Sequence, residues 1–326
     1  MSLLAIEDLS VSFRTEDGRL TAVQSVDLTV EAGETLAIVG ESGSGKSVTA
    51  LAILRLLGEA GRIDRGCIRF DGEDLAPLSA AQMRAIRGNS ISMIFQEPMS
   101  SLNPVITVGR QVAEPLVLHR GMAWSAALTQ AEELLRQVAI PDPGARLAEY
   151  PHQLSGGMRQ RVMIAMALAC SPKLIIADEP TTALDVTVQA QILALLKSLT
   201  QATGAALMLI THDLGVVARY ADRVAVMYAG RIMETADART LYANPQHPYT
   251  HGLMASIPSL DGPVTSLLPT IEGQPPDLAR LPPGCPFEPR CDQAMDACRA
   301  ARPPLLPMTP GHAHACLVAR EAAQHG

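Results

Sequence analysis

The chain has 326 residues, a formal net charge of −7, 48% hydrophobic residues and only 3% aromatics. That length fits one large domain plus a smaller one with ample apolar surface for a core, while the acidic balance and scarce rings argue against a general nucleic-acid binder. No apolar run approaches the roughly 18–20 residues that span a bilayer, and the start, Met1-Ser2-Leu3-Leu4-Ala5-Ile6-Glu7-Asp8, lacks a basic region, so the expectation is a cytoplasmic chain that meets a membrane only through a partner.

Residues 1 to about 35 alternate apolar and polar, with Leu9, Val11 and Phe13, then Ala22, Val23, Val26, Leu28 and Val30. This predicts antiparallel strands turning at Glu16-Asp17-Gly18. Phe13 can offer a flat face to an adenine ring or pack as an ordinary core aromatic. Thr35 to Val39 reads as a short buried strand. It runs into Gly40-Glu41-Ser42-Gly43-Ser44-Gly45-Lys46-Ser47, which fits G-x-x-x-x-G-K-[ST]. Val48 to Leu57 follows with apolar residues at helical spacing (Leu51, Ile53, Leu54, Leu57). Strand, glycine-rich turn and helix are the context a phosphate-binding loop requires. Its backbone N–H groups and the helix N-terminus face an anion, Lys46 brings an ammonium to the β- and γ-phosphates, and Ser47 offers a hydroxyl to Mg²⁺.

Gly66 to Gly72 reads as a strand and turn, and Ile91 to Phe95 as a buried strand stopped by Glu97-Pro98. Gln96, at that strand's end, can reach Mg²⁺ and an attacking water, or stand as a solvated loop residue. Helical spacing appears over Gly109 to Leu118 and Ser125 to Val138, closed by Pro141-Asp142-Pro143-Gly144, as in a helical subdomain at about 97–165 set into an α/β core. Ser155 precedes Gly156 and Gly157 and can cap a helix from Met158 to Ala169, leaving N–H groups for a second phosphate contact. Lys173 to Glu179 is an apolar strand ending in two acids, the place where open α/β sheets bind ligands. Asp178 suits Mg²⁺ and Glu179 suits a general base. Thr182-Ala183-Leu184-Asp185 leads into a helix with Val188, Ile192, Leu195, Leu196 and Leu199 on one side. Ala205 to Thr211 is a further buried strand, and His212 at its end can hydrogen-bond a γ-phosphate. Val224 to Tyr228 and Arg231 to Thr235 form a hairpin turning at Ala229-Gly230. Beyond about 240, Pro245, Pro248, Pro258, Pro263, Pro269, Pro275, Pro276, Pro282 and Pro283 predict an extended, loop-rich appendage.

In order, GESGSGKS, Gln96, LSGGM, LIIADE, TALD and His212 resemble the motif set of the ATP-binding subunits of ABC transporters, over about residues 5–235. The resemblance implies a P-loop NTPase core with an antiparallel β subdomain and an inserted helical subdomain, in an ATP-binding domain at 1–240. It implies ATP hydrolysis with Mg²⁺. Phe13 matches the adenine-stacking aromatic, Lys46 and Ser47 the phosphate and Mg²⁺ contacts, and Gln96 the nucleotide-sensing glutamine facing the permease. Ser155, Gly156 and Gly157 match the signature that closes on the opposite subunit's ATP. Asp178 and Glu179 match the Mg²⁺-associated acid and the catalytic base, Asp185 the subunit-communication loop, and His212 the γ-phosphate switch. Met158 departs from the glutamine usual at the end of the signature, at little expected cost, since the donors are Ser155 and the glycines.

Phe95 to Pro104, Tyr150 to Arg161, and Asn244-Pro245-Gln246-His247-Pro248-Tyr249-Thr250 look like the dipeptide/oligopeptide importers, the last within that subfamily's C-terminal extension, here 241–326. The implied assembly has two integral-membrane permease subunits, a second homologous ATPase, an external solute-binding protein and no nucleic acid, with this chain at the cytoplasmic face of the membrane. Nickel, glutathione and other small-solute importers share these motifs. A non-transport ABC ATPase would more often carry two cassettes or a long coiled coil, and a purely metal-binding subunit would not need Lys46 and Glu179. Of the six cysteines, Cys67 and Cys170 read as packed small residues. Cys285, Cys291, Cys298 and Cys316 lie in the tail, where a reducing cytosol disfavours disulfides. Their spacing lacks the C-x-x-C pairs usual at zinc sites, although His312 and His314 stand near Cys316. Free thiols are the plain alternative, and the resemblance implies a [4Fe–4S] cluster.

Overall fold

The structure, a computed structural model, describes residues 2–16, 18–182, 184–256 and 270–320. Asp17 of the first turn, Ala183, Pro258, Pro263 and Pro269 lie outside the described residues. In chain order the elements begin β1 (Leu4–Thr15), β2 (Gly18–Val30), β3 (Thr35–Val39), α1 (Lys46–Ile53), β4 (Gly61–Phe70), β5 (Glu73–Asp74), α2 (Ala80–Ile86) and β6 (Ile91–Ile94). Next come α3 (Pro98–Ser101), α4 (Val108–Arg120), α5 (Trp124–Gln137), α6 (Pro143–Arg146), α7 (Gly156–Leu168), β7 (Leu174–Asp178), α8 (Val186–Thr203) and β8 (Ala206–Thr211). The remainder is α9 (Leu214–Tyr220), β9 (Arg223–Tyr228), β10 (Arg231–Asp237), α10 (Ala238–Ala243), α11 (Pro248–Ala255), α12 (Asp296–Ala300), β11 (Leu306–Thr309) and β12 (His312–His314).

The chain forms two compact units. One, residues 30–35 and 77–210, holds parallel strands β6, β7 and β8 with the helices between them. β7 is buried from end to end because both faces are covered, so its sequence is a continuous apolar run instead of an alternation. Helices α4, α5 and α7 pack together, and Val112, Leu116, Ala131, Leu135, Val162 and Ile164 on them are nearly inaccessible. Pro115 sits inside α4 without ending it. On α8 the buried side is Ile192, Leu193, Leu196 and Thr200, so Leu193 takes the place expected for Leu195.

The second unit, residues 2–29, 36–76 and 211–326, holds an antiparallel sheet in the order β2-β1-β4-β5. It also holds β3, which runs parallel to β9, and β9 pairs antiparallel with β10 through the Ala229-Gly230 turn. Ala229 and Gly230 have φ of 48° and 79°, the doubly left-handed pair of a tight hairpin. Helix α1 stops at Ile53, short of the expected Leu57. Arg55 turns left-handed at φ 52° and the Leu56 N–H donates back to the Leu51 oxygen, which closes the helix.

Among the described residues past 240, 241–256 and 270–320, the chain is loop-rich yet contributes to the core, which corrects the picture of an extended appendage. β12 adds to β10, pairing Glu234 with His314 and Thr235 with Ala313. Tyr249, Phe287, Cys285 and Cys298 join Tyr228, Val226 and Val39 in one apolar cluster. Three of the chain's scarce rings meet there, Tyr228, Tyr249 and Phe287, with centroids 4.5–5.3 Å apart. Buried Glu234 is satisfied by the His312 ring at 2.7 Å and by the N–H groups of Gln246 and His247.

Candidate functional site

The glycine-rich loop has the shape its sequence requires. Gly40 lies at φ 154°, and a Cβ there would stand 2.1 Å from the Met227 oxygen. Gly45, the residue before α1, has φ 102°, and its Cβ would meet the Ala22 oxygen at 2.8 Å. The loop is tied to the hairpin turn, where the Gly230 N–H donates to the Ser44 oxygen at 2.9 Å. Lys46 is only 5% exposed. Its Nζ donates to the Gly40 oxygen at 2.7 Å, the Glu41 oxygen at 2.8 Å and Ser44 Oγ at 3.3 Å, so the ammonium is held inside the curl. Ser47 follows on the first turn of α1. A backbone cradle, a buried cation and a helix start fit a polyphosphate. Phe13 is half-buried on β1, opposite Gly61 of β4.

Sequence reasoning missed what grips the outside of this loop. The Glu41 N–H donates to the Tyr249 hydroxyl at 2.9 Å, and Arg290 donates to both Glu41 carboxylate oxygens at 2.7 and 3.1 Å. These partners are 208 and 249 residues away, so no local spacing announces them.

The other unit carries the acids. Parallel pairing places Ile94 beside Ala177, and Asp178 beside Ile210. Asp178 is buried at the end of β7. Glu179 comes next with a left-handed φ of 45°, a conformation costing a non-glycine residue about 1 kcal/mol or more, and its N–H donates to the Ile210 oxygen at 2.9 Å. Its carboxylate accepts from Gln96 Nε2 at 3.2 Å and from Thr182 Oγ1 at 2.9 Å. The structure thus brings Gln96 and Glu179 together across 83 residues and adds Thr182 as a second orienting donor. His212 is the exposed residue directly after β8.

Ser155 Oγ accepts the Met158 N–H at 3.3 Å and caps α7, leaving Ser155 and Gly156 exposed. The cap uses only the backbone of Met158, so the residue type there is irrelevant to it. Asp185 Oδ1 accepts the Val188 N–H at 2.9 Å and caps α8.

The tail thiols converge. Cys285, Cys291, Cys298 and Cys316 line one small cavity with His247 and Phe287. Burial pushes the Cys285 thiol up to about 11, and the neighbouring Cys298, Cys316 and Cys291 add to it. Burial likewise raises Cys291 and Cys316. Among the described residues no group of three or more His, Cys, Asp or Glu side chains is arranged to hold a metal ion. The histidines near Cys316 are engaged elsewhere: His312 bonds Glu234, and His314 Nδ1 accepts the Cys316 N–H at 3.3 Å. His247 is 1% exposed, and burial drives its pKa down to about 3. Its Nδ1 accepts the Tyr249 N–H at 3.0 Å, so the neutral ring carries its proton on Nε2, which has no partner. The four thiols therefore share one cavity wall with a buried His247 nitrogen that has no partner. Of the other cysteines, Cys170 is buried and Cys67 half-buried.

No helix among the described residues is long and apolar enough to cross a membrane. The ABC transporter family pattern matches residues 23–182, and the oligopeptide/dipeptide transporter C-terminal region pattern matches residues 233–298. The chain is 53% identical to the oligopeptide transport ATP-binding protein OppD of Salmonella typhimurium, over 96% of this chain and 93% of that protein. It is 51% identical to the dipeptide transport ATP-binding protein DppD of Bacillus subtilis, over 99% and 96%. Among solved structures, a dimeric ATP-binding cassette in a post-hydrolysis state with ADP and Pi superposes with a TM-score of 0.65 at 29% identity, covering 72% of this chain and 99% of that one. With its phosphate loop, its paired acids and full-length identity above one half to such proteins, the chain belongs to the ATP-binding proteins of ABC transporters that carry the oligopeptide/dipeptide transporter C-terminal region.

Proposed function

We propose that this ATPase powers uptake of dipeptides or oligopeptides through a membrane permease, with roles in ATP binding and hydrolysis for the phosphate loop, Asp178, Glu179, Gln96 and His212. The arrangement around Glu179 carries the reading. A carboxylate aimed by Gln96 and Thr182 is a base whose orientation is fixed before water arrives. Lys46 and the loop N–H groups hold the β- and γ-phosphates, Ser47 and Asp178 would take Mg²⁺, and Phe13 meets the adenine. Bound Mg²⁺ would neutralise charge on the phosphates. Glu179 accepts the proton of the attacking water, and Gln96 positions that water. His212 hydrogen-bonds the γ-phosphate and reports its loss. Ser155, Gly156 and Gly157 offer a hydroxyl and amides to a nucleotide on a second ATPase subunit, and Asp185 communicates between the two. Catalysis is then mostly positioning and charge stabilisation.

The names of the relatives, oligopeptide and dipeptide transport ATP-binding proteins, support the peptide substrate; a solute-binding protein, a pair of permease subunits and a peripheral position on the cytoplasmic face of the membrane are what the family resemblance implies. Residues 1–240 act as the ATP-binding domain, with the helical subdomain at about 97–165 moving against the permease, and 241–326 as the extension. Cys285, Cys291, Cys298 and Cys316 are assigned as the residues that would hold a [4Fe–4S] cluster, and the buried His247 beside them would offer an N–H donor. Bound iron would supply the positive charge that lets four crowded, buried thiols ionise. Anaerobically purified protein should show broad visible absorption and about four irons per chain. A colourless protein with bound zinc would replace this assignment.

Glu179→Gln tests the base. It should keep ATP affinity and lose on the order of 10²–10⁴-fold in turnover. Turnover at the parent rate would overturn the role of Glu179.

A further inference from the structure

The Tyr249 hydroxyl and Arg290 have no part in the chemistry above, yet both end on the phosphate loop. Glu41, second residue of that loop, places a carboxylate within the segment that must accept a polyanion. Arg290 meets it with two parallel N–H···O bonds of 2.7 and 3.1 Å, and the arginine side chain is only 5% exposed. The guanidinium is fixed from every side. Its Nε donates to the Glu272 oxygen at 2.9 Å, Nη2 to the Ile271 oxygen at 3.3 Å and Nη1 to the Tyr228 hydroxyl at 3.3 Å, with its centre 5.9 Å from the Tyr228 ring. The hydrogen bonds to Glu41 hold the Arg290 charge firmly in place. On the same residue, the Glu41 N–H is turned to the Tyr249 hydroxyl. Pro275, Pro276 and Leu278 line a further small cavity with Glu41, Ser42, Gly43 and Ser44, so the extension faces the whole outer side of the loop.

We propose that Arg290 and Tyr249 are positioning residues for nucleotide binding: Arg290 neutralises and turns aside the Glu41 carboxylate, and Tyr249 fixes the adjacent amide, so the phosphate loop is presented to ATP already shaped and without a bare negative charge. The inference rests on the assignment of Gly40 to Ser47 as the nucleotide site. A carboxylate left unpaired a few ångströms from a polyphosphate opposes its binding, and removing one member of a nearly buried ion pair exposes that repulsion in full. The arginine acts through Glu41 and touches no substrate.

The test is a set of ATP titrations with magnesium on the full chain carrying Glu179→Gln, which keeps nucleotide intact, alongside melting temperatures and steady-state kinetics in the parent background. Lys46→Ala comes first. If it binds ATP as tightly as its parent, the nucleotide site is misassigned and the inference falls with it. With that control lost as expected, Arg290→Gln should weaken ATP binding by about tenfold, mostly as affinity and KM and not as turnover at saturating ATP. Arg290→Lys should fall between, since it keeps the charge but not the fork. Adding Glu41→Gln to Arg290→Gln should restore most of the affinity, because the repelling charge is gone. Tyr249→Phe, which keeps the ring in its cluster, should weaken binding about threefold. Unchanged affinity in Arg290→Gln overturns the proposal. So does an equal loss in the double variant, with melting lowered to match, since the arginine would then be a strut of the fold and not a guard against charge.

Discussion

The acid-bearing edge of one unit and the phosphate loop of the other solve the same problem in opposite ways. At the edge, strain and a few polar contacts suffice: Glu179 sits left-handed after β7 and takes bonds from Gln96 and Thr182. The loop is built by exclusion and enclosure. Glycines admit backbone where a Cβ would collide, Lys46 is drawn inward, and a remote segment holds the outer side through Tyr249 and Arg290. The first region should therefore be sensitive in rate and the second in affinity and stability.

The largest break in that comparison should come at Gly40. Gly40→Ala places a methyl 2.1 Å from the Met227 oxygen. It should cost on the order of 4 kcal/mol or more, read as a collapse of the melting transition or a soluble protein that no longer binds ATP. A variant that melts and binds like its parent would mean the loop does not rely on this close approach. A smaller effect, confined to rate, is expected at Thr182. Thr182→Val removes one donor to a charged group, worth about 1.5 kcal/mol, and should lower turnover about tenfold with ATP affinity kept. A shift in affinity with turnover untouched would blur the division between the regions. The smallest stability change is expected at Ser155, where alanine removes the cap of α7 at about 1 kcal/mol by chemical denaturation. Because the exposed hydroxyl is assigned to a second subunit's nucleotide, the same variant should lower turnover of the assembled transporter by more than that loss explains.

Much of this was readable from sequence where the signal is contiguous. The strand–loop–helix at Gly40–Ser47, the hairpin at Ala229-Gly230 and the cap at Ser155 each depend on neighbours within a few residues. The Gln96–Glu179 contact was not readable as a contact, only as polar groups at two strand ends. Helix α1 was drawn too long because Leu57 continues the apolar spacing past a turn set by the φ of Arg55. The tail was the least legible. Its prolines suggested an extended chain, while its order comes from pairings across the molecule: β12 on β10, His312 on Glu234, Arg290 on Glu41. None of these leaves a periodic trace. The cysteines could be grouped but not placed, because their spacing of 6, 7 and 18 residues, from 285 to 291, 298 and 316, matches no compact motif.

The central claim is that this chain burns ATP to drive a peptide permease. Phosphate release should be followed from the chain assembled with its permease and companion ATPase in a bilayer, with magnesium and ATP, before and after adding peptide-loaded solute-binding protein. The account predicts turnover that rises on that addition and disappears in Lys46→Ala. Release no faster than the Lys46→Ala background, with or without peptide, would contradict it.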